Sequence, residues 1–178
     1  MGQPEPRETT NLATLYGQES MPWSRAAEAL GIGSLPPAVP CFLGTVRPDG
    51  RPHAAGVGVL VRDGDLFFTS GPGARKARNI TANASCTLSM RLDGIDLVLE
   101  GEARRETDPG TLTAVAAAYD QGGWPAQVEG DAITAPYSAQ SAGPAPWWLF
   151  RFRIRTAFGV GLRPPHGASR WDFQHLFD

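Results

Sequence analysis

The sequence predicts a mainly β protein, an antiparallel β-barrel with flanking helices, and three observations carry that expectation. Apolar runs are punctuated by Asp-Gly at 49–50, 63–64 and 93–94, a dipeptide that closes tight hairpins. Two later runs, "DLVLEGEARR" at 96–105 and "WWLFRFRIRTAFGVG" at 147–161, alternate apolar and polar residues, as strands do with one face on a core. Helical signals are confined to short segments, so strands closed around a core must do most of the burying.

Residues 1–20 are polar and patternless, and 1–21 is read as an N-terminal extension before a single domain over 22–178. "PWSRAAEAL" at 22–30 is a short amphipathic helix with Pro22 near its start and Gly31 past its end. "GIGSLPPAVP" connects it to a run of hairpins: "CFLGTV", the turn "RPDG", "PHAAGVGVLV", the turn "RDGD" and "LFFTS". A helix is expected to start near Ala74, followed by the strands "SCTLSMRL" and 96–105. "DPGTLTAVAAAYD" at 108–120 opens with Asp108 and Pro109 at cap positions and continues into an alanine-rich body, which makes a helix. Segment 121–146 reads as loop, 147–161 as a long strand and "SRWDF" at 169–173 as a short last one; no internal repeat is visible.

A chain of 178 residues with 42% hydrophobic content can bury a core without disulfides or metal. Sixteen basic against eighteen acidic residues, net charge -2, give no basic field for a phosphate backbone, so no nucleic-acid partner is expected. No apolar run approaches the roughly 18 residues of a membrane span. The N-terminus also lacks the basic start and apolar middle of a signal peptide, so a cytoplasmic protein is expected. Cys41 and Cys86 lie in apolar segments without a second thiol or histidine at ligand spacing and read as core thiols, and no metal site is expected. His53, His166 and His175 likewise lack partners, and His53 reads as structural. Asp63, Asp65 and Asp93 suit hairpin turns. Arg151, Arg153 and Arg155 share a strand face, either a basic lining or a solvated edge. Trp147 and Trp148 read as core or subunit-interface residues, with stacking on a cofactor or substrate as the alternative.

Chemistry concentrates in "FFTSGPGARKARN", 67–79. Lys76 is the only lysine of the chain, while the other fifteen basic residues are arginine. A strand ending at Thr69, a Gly-Pro-Gly turn and a helix start bring free N–H groups, the Thr69 and Ser70 hydroxyls, Arg75 and Lys76 around one point, which suits an anion. Arginine grips a phosphate bidentately, and a lysine ammonium points into a tighter oxygen cage. The alternative is a helix start whose cations merely face water. In the preceding strand, Gly56 and Gly58 alternate, which lets a flat ligand lie against the backbone or marks a bulge.

"TVRPDGRPHAAGVGVL", "LFFTSGPGARKARNI" and "GASRWDF" together resemble the pyridoxamine 5'-phosphate oxidase-like proteins with the FMN-binding split β-barrel, and most closely their actinobacterial flavin or deazaflavin oxidoreductase branch. That resemblance implies a six-stranded antiparallel split barrel and a homodimer with cofactor sites at its interface. The cofactor it implies is flavin mononucleotide (FMN) or, alternatively, the deazaflavin coenzyme F-420. It assigns Arg75 and Lys76 to the cofactor phosphate, with Phe68, Thr69 and Ser70 beside it and Asn79 fixing the helix. Ala55, Gly56, Val57 and Gly58 border the ring, and Arg170 and Trp171 come from the closing segment. Asp96 stands where true pyridoxamine phosphate oxidases carry a flavin-contacting glutamine, and the closing segment lacks their paired His and Arg, so vitamin B6 oxidation is not expected. The implied function is hydride transfer to or from a small organic substrate, with the cofactor carrying the hydride and no residue acting as a catalyst. The alternative is a non-catalytic protein that binds or stores the same cofactor.

Overall fold

The Asp-Gly turns fall between antiparallel partners in the computed structural model, which describes residues 4–137 and 143–173. They join β3 (Cys41–Val46) to β4 (Pro52–Gly56), β5 (Leu60–Arg62) to β6 (Asp65–Ser70), and β7 (Ser85–Leu92) to β8 (Ile95–Glu106). Gly50, Gly64 and Gly94 all hold φ between 76° and 85°, which a side chain would resist. The remaining elements are β1 (Glu8–Asn11), α1 (Trp23–Leu30), β2 (Gly33–Ser34), α2 (Arg75–Ala82), α3 (Pro109–Gln121), β9 (Gln127–Glu129), β10 (Ala132–Thr134), β11 (Trp148–Gly161) and β12 (Ala168–Asp172).

One antiparallel sheet runs in the order β2-β5-β6-β11-β8-β7-β3-β4, with β12 beside β11 and β1 beside β12. Its ten strands exceed the six of the expected barrel because short segments add themselves at its margins. The sheet must curl. From β5 to β4 there are six strand-to-strand steps, about 29 Å if flat, yet residues 57–59 alone connect the two strands and span at most about 15 Å. The expected continuous strand 52–61 is therefore two strands with a crossing between them, and the split in the barrel lies at that crossing.

Inside the curl, Leu43, Leu66, Phe68, Leu88, Leu97, Leu99, Phe150 and Phe152 form the main core, closed by Trp23, Ala26 and Leu30 of α1. Trp23 meets Trp171 and Phe173 edge to face at 5.4 and 4.9 Å between centroids. A second core lies outside β6 and β11, where α3 covers Phe67, Leu149 and Ile133 with Leu112, Val115 and Tyr119. Asp108 caps α3 by accepting from the Thr111 N–H at 2.8 Å.

Three sequence expectations change here. Residues 8–11 are not patternless extension but pair with β12, Glu8 opposite Asp172 through Asn11 opposite Ser169. Segment 121–146 contains the β9–β10 hairpin, and Ile133 exchanges backbone hydrogen bonds with Trp147. Finally, β11 is central between β6 and β8, so its arginines do not guard an edge. His175 lies outside the described residues.

Candidate functional site

The anion point begins with α2. Ala74 is its N-cap and offers no side chain to the first-turn N–H groups, which leaves them for a ligand. The helix lays Ala77 and Ile80 into the main core. Lys76 shares that buried face, standing three residues ahead of Asn79 and four ahead of Ile80. Lys76 is 9% exposed, lies on the wall of a cleft, and has no hydrogen-bond or ion-pair partner among the described residues. Burial holds its ammonium below the ordinary lysine pKa. A solvated helix start does not describe this lysine.

The cleft, about 450 Å³, is lined by His53, Ala55, Gly56, Val57, Gly58 and Lys76. Neither glycine is required by its backbone, since neither has positive φ, nor by packing, since an added Cβ at either would meet nothing within 4 Å. A side chain at either would stand in open space beside the cleft that both glycines line. Arg75 is exposed at the first position of α2. Asn79 donates from Nδ2 to Thr45 Oγ1 at 2.9 Å, which ties α2 to β3.

The other expected site residues do not line this cleft. Phe68 is fully buried and stacks on Phe150 at 5.4 Å. Ser70 is buried with its hydroxyl donating to the Gly71 carbonyl at 3.4 Å, and Thr69 is half-buried beside it. Trp171 is fully buried between Trp23 and Gly159, its Nε1–H donating to the Met21 carbonyl at 3.1 Å, so its ring belongs to the core. Arg170 is exposed and ion-paired to Asp172 at 2.8 Å. Asp96, on β8, is tied to Arg91.

Two residues that sequence reasoning set aside or missed now join the site. His53 forms part of the cleft wall. Thr45, buried opposite it, holds Oγ1 3.5 Å from His53 Nδ1 and 3.4 Å from its carbonyl oxygen. Their only sequence signal is position at the two ends of the "RPDG" turn. The expected arginine stripe is largely matched by carboxylates: Arg151 reaches Glu106 at 2.6 Å and Asp65 at 3.5 Å, and Arg153 reaches Asp65 at 3.5 Å. Cys41 and Cys86 are buried thiols, both pushed up by burial to about 12. No group of three or more metal-ligating side chains occurs among the described residues. Nor is any described helix long and apolar enough to cross a membrane.

The family model for pyridoxamine 5'-phosphate oxidase matches residues 34–158, the stretch that contains the cleft, α2 and most of the barrel. The chain belongs to that family. Solved structures agree at the level of fold. An FMN-binding protein related to pyridoxamine 5'-phosphate oxidase from Nostoc punctiforme is 16% identical, with a TM-score of 0.54, 87% of this chain and 98% of that one covered. A NimC/NimA family protein from Clostridium acetobutylicum is 16% identical with a TM-score of 0.53, covering 83% and 91%. An F-420 reductase is 22% identical with a TM-score of 0.49, covering 73% and 93%. A comparison with the curated proteins finds no match. The pyridoxamine 5'-phosphate oxidase family thus accounts for the split barrel.

Proposed function

We propose that this protein is an oxidoreductase that binds FMN in the cleft of β4 and α2. The observation that carries the reading is the pairing of two glycines that no local constraint requires with a buried, partnerless lysine on the same wall. Residues and group fit: the uncapped start of α2, Arg75 and Lys76 suit a phosphate dianion. Residues 55–58 suit a flat ring that must approach the backbone closely. When bound, FMN supplies the redox chemistry by taking or giving electrons at its ring. The chain's own residues bind and orient: Lys76 neutralises phosphate charge in a partly desolvated place, and the Asn79–Thr45 bond fixes the helix that carries it.

FMN is preferred to F-420 on charge. A deazaflavin tail with several carboxylates needs a basic exit, and two arginines that would line one, Arg151 and Arg153, already face Asp65 and Glu106. Vitamin B6 phosphates are not the substrate in this reading, since within the protomer Arg170 is held by Asp172 and Trp171 by the core. A homodimer with the clefts at its boundary is part of the proposal and rests on the outer face of the sheet, where Phe42, Val46, Val98 and Val160 are exposed.

Titration of the purified chain with FMN and with F-420, followed by photoreduction and mixing with acceptors, tests the reading. FMN binding with reoxidation by an organic acceptor is expected. Preference for F-420 would overturn the cofactor assignment. Bound FMN that no acceptor reoxidises faster than buffer does would make the protein a binder or store.

A further inference from the structure

Only two side chains of the cleft wall, Lys76 and His53, carry polar atoms; Ala55, Gly56, Val57 and Gly58 make up the rest. Lys76 serves an anionic group, which leaves His53 as the cleft's second polar contact. Asn79 Nδ2–H occupies one acceptor site of Thr45 Oγ1 at 2.9 Å. The single hydroxyl proton of Thr45 can go to the His53 carbonyl oxygen at 3.4 Å or to Nδ1 at 3.5 Å, and Nδ1 can accept it only in the tautomer that carries the ring proton on Nε2. His53 also borders a second cleft of about 590 Å³ lined by Gly44, Thr87, Glu100 and Arg155, so the imidazole stands between two openings.

We propose that His53 is the specificity-determining residue of the cleft: with Nδ1 accepting from Thr45, it presents Nε2–H to an acceptor atom of the ligand whose anionic group sits at Lys76. The ligand class is thus an anion joined to a heteroaromatic ring that bears carbonyl oxygens or unprotonated ring nitrogens. This rests on the flavin reading and deepens it by naming the group that meets the ring edge. Electrostatics agree with a neutral ring. Burial, and then the positive charges of Arg47, Arg75 and Lys76, hold His53 below the ordinary histidine pKa. An uncharged imidazole whose Nδ1 is engaged as acceptor has one N–H left to give. Within hydrogen-bond range of the ring, Thr45 is its only side-chain partner among the described residues.

The test uses the full chain and four variants, His53→Leu, His53→Gln, Thr45→Val and Lys76→Ala, each checked for cooperative unfolding. FMN affinity is read by fluorescence, inorganic phosphate affinity by competition against FMN, and the ring environment by the visible absorption of bound FMN. Lys76→Ala is expected to weaken FMN and phosphate together. His53→Leu is expected to weaken FMN about tenfold, the effect of one lost hydrogen bond, to shift the absorption bands and to leave phosphate unchanged. His53→Gln, which keeps an N–H, restores most of the affinity, and Thr45→Val falls between. If His53→Leu does not fold, the Gln and Val variants still decide by the band shift. Wild-type FMN affinity in His53→Leu, or equal losses of FMN and phosphate, overturns the inference while the flavin reading stands. A wild-type chain that does not bind FMN removes both.

Discussion

Lys76 is where the sequence and the cleft meet in one residue. A buried ammonium without a counter-charge destabilises the folded chain, because burial disfavours its charged form. Lys76→Ala is therefore expected to leave stability unchanged or raised, while FMN binding weakens by about 1.5 to 3 kcal/mol, the range for a hydrogen bond to a charged group. Binding should also raise the lysine's depressed pKa, so calorimetry in buffers of different ionisation enthalpy at alkaline pH should register proton uptake in the wild type and less in the variant. Equal FMN affinity in both proteins would detach the phosphate from this lysine. The buried thiols make a second prediction. Cys41 and Cys86 hold their protons to about 12 in the folded state, against an ordinary 9.0. Between those values the unfolded chain binds fewer protons than the folded one, so stability falls as pH rises from 9 toward 12. A Cys41→Ala, Cys86→Ala double variant, though less stable overall, should lose stability less steeply over that window in denaturant titrations. Parallel slopes would show that the thiols ionise alike folded and unfolded.

At the scale of elements, β4 and the crossing after it are shaped for something outside the chain. A Cβ at Gly56 or Gly58 would meet nothing within 4 Å, and valine suits the strand position of Gly56. Gly56→Val and Gly58→Val should accordingly fold with wild-type circular dichroism and unfolding midpoints, yet lose FMN, since the branched side chain fills the cleft. Unimpaired binding in both would move the ring elsewhere. What was legible in the sequence follows the same logic of range. The hairpins and α3 are written in local turn and cap residues, and the start of α2 in the Gly-Pro-Gly turn before it, with Lys76 marked as the chain's only lysine. β1 was invisible because its partner β12 lies some 160 residues away in sequence, and four exposed or half-exposed residues carry no alternation to read. Phe68 and Trp171, which the resemblance assigned to the ligand, have their rings buried in the core. Thr45 was missed and His53 set aside as structural, since their contact exists only across the β3–β4 ladder.

For the whole molecule, the question is what covers the outer face of the sheet. Large apolar residues in "WWLFRF" suggested a subunit interface, but Trp147 and Leu149 are covered within the chain by α3 and the β9–β10 hairpin. Exposed apolar residues of the sheet lie on β3 (Phe42, Val46), on β8 (Val98) and at the far end of β11 (Val160). Register places Gly56, Phe42, Ser89, Val98, Phe158 and Arg170 in one row across β4, β3, β7, β8, β11 and β12. Phe42 is 52% exposed on that row, and Val160 next to it 50%. In the proposed dimer, a two-fold axis parallel to the strands and centred between β7 and β8 would pair opposite ends of the row, since in an isologous interface residue i meets j as j meets i. The β4 cleft of one protomer would then face β12 of its partner, and the partner's Arg170 would approach the ligand that its own protomer's geometry keeps it from. Sedimentation equilibrium is expected to give a dimer for the wild type and a monomer for a Phe42→Glu, Val98→Glu double variant, with FMN affinity lost alongside dimerisation. Arg170→Ala should remain a dimer but bind FMN several-fold more weakly, because the residue lies at the row's end rather than its centre. A wild-type monomer that binds FMN in full would refute the shared site, and an Arg170→Ala dimer with undiminished affinity would leave the dimer standing without that arginine in it.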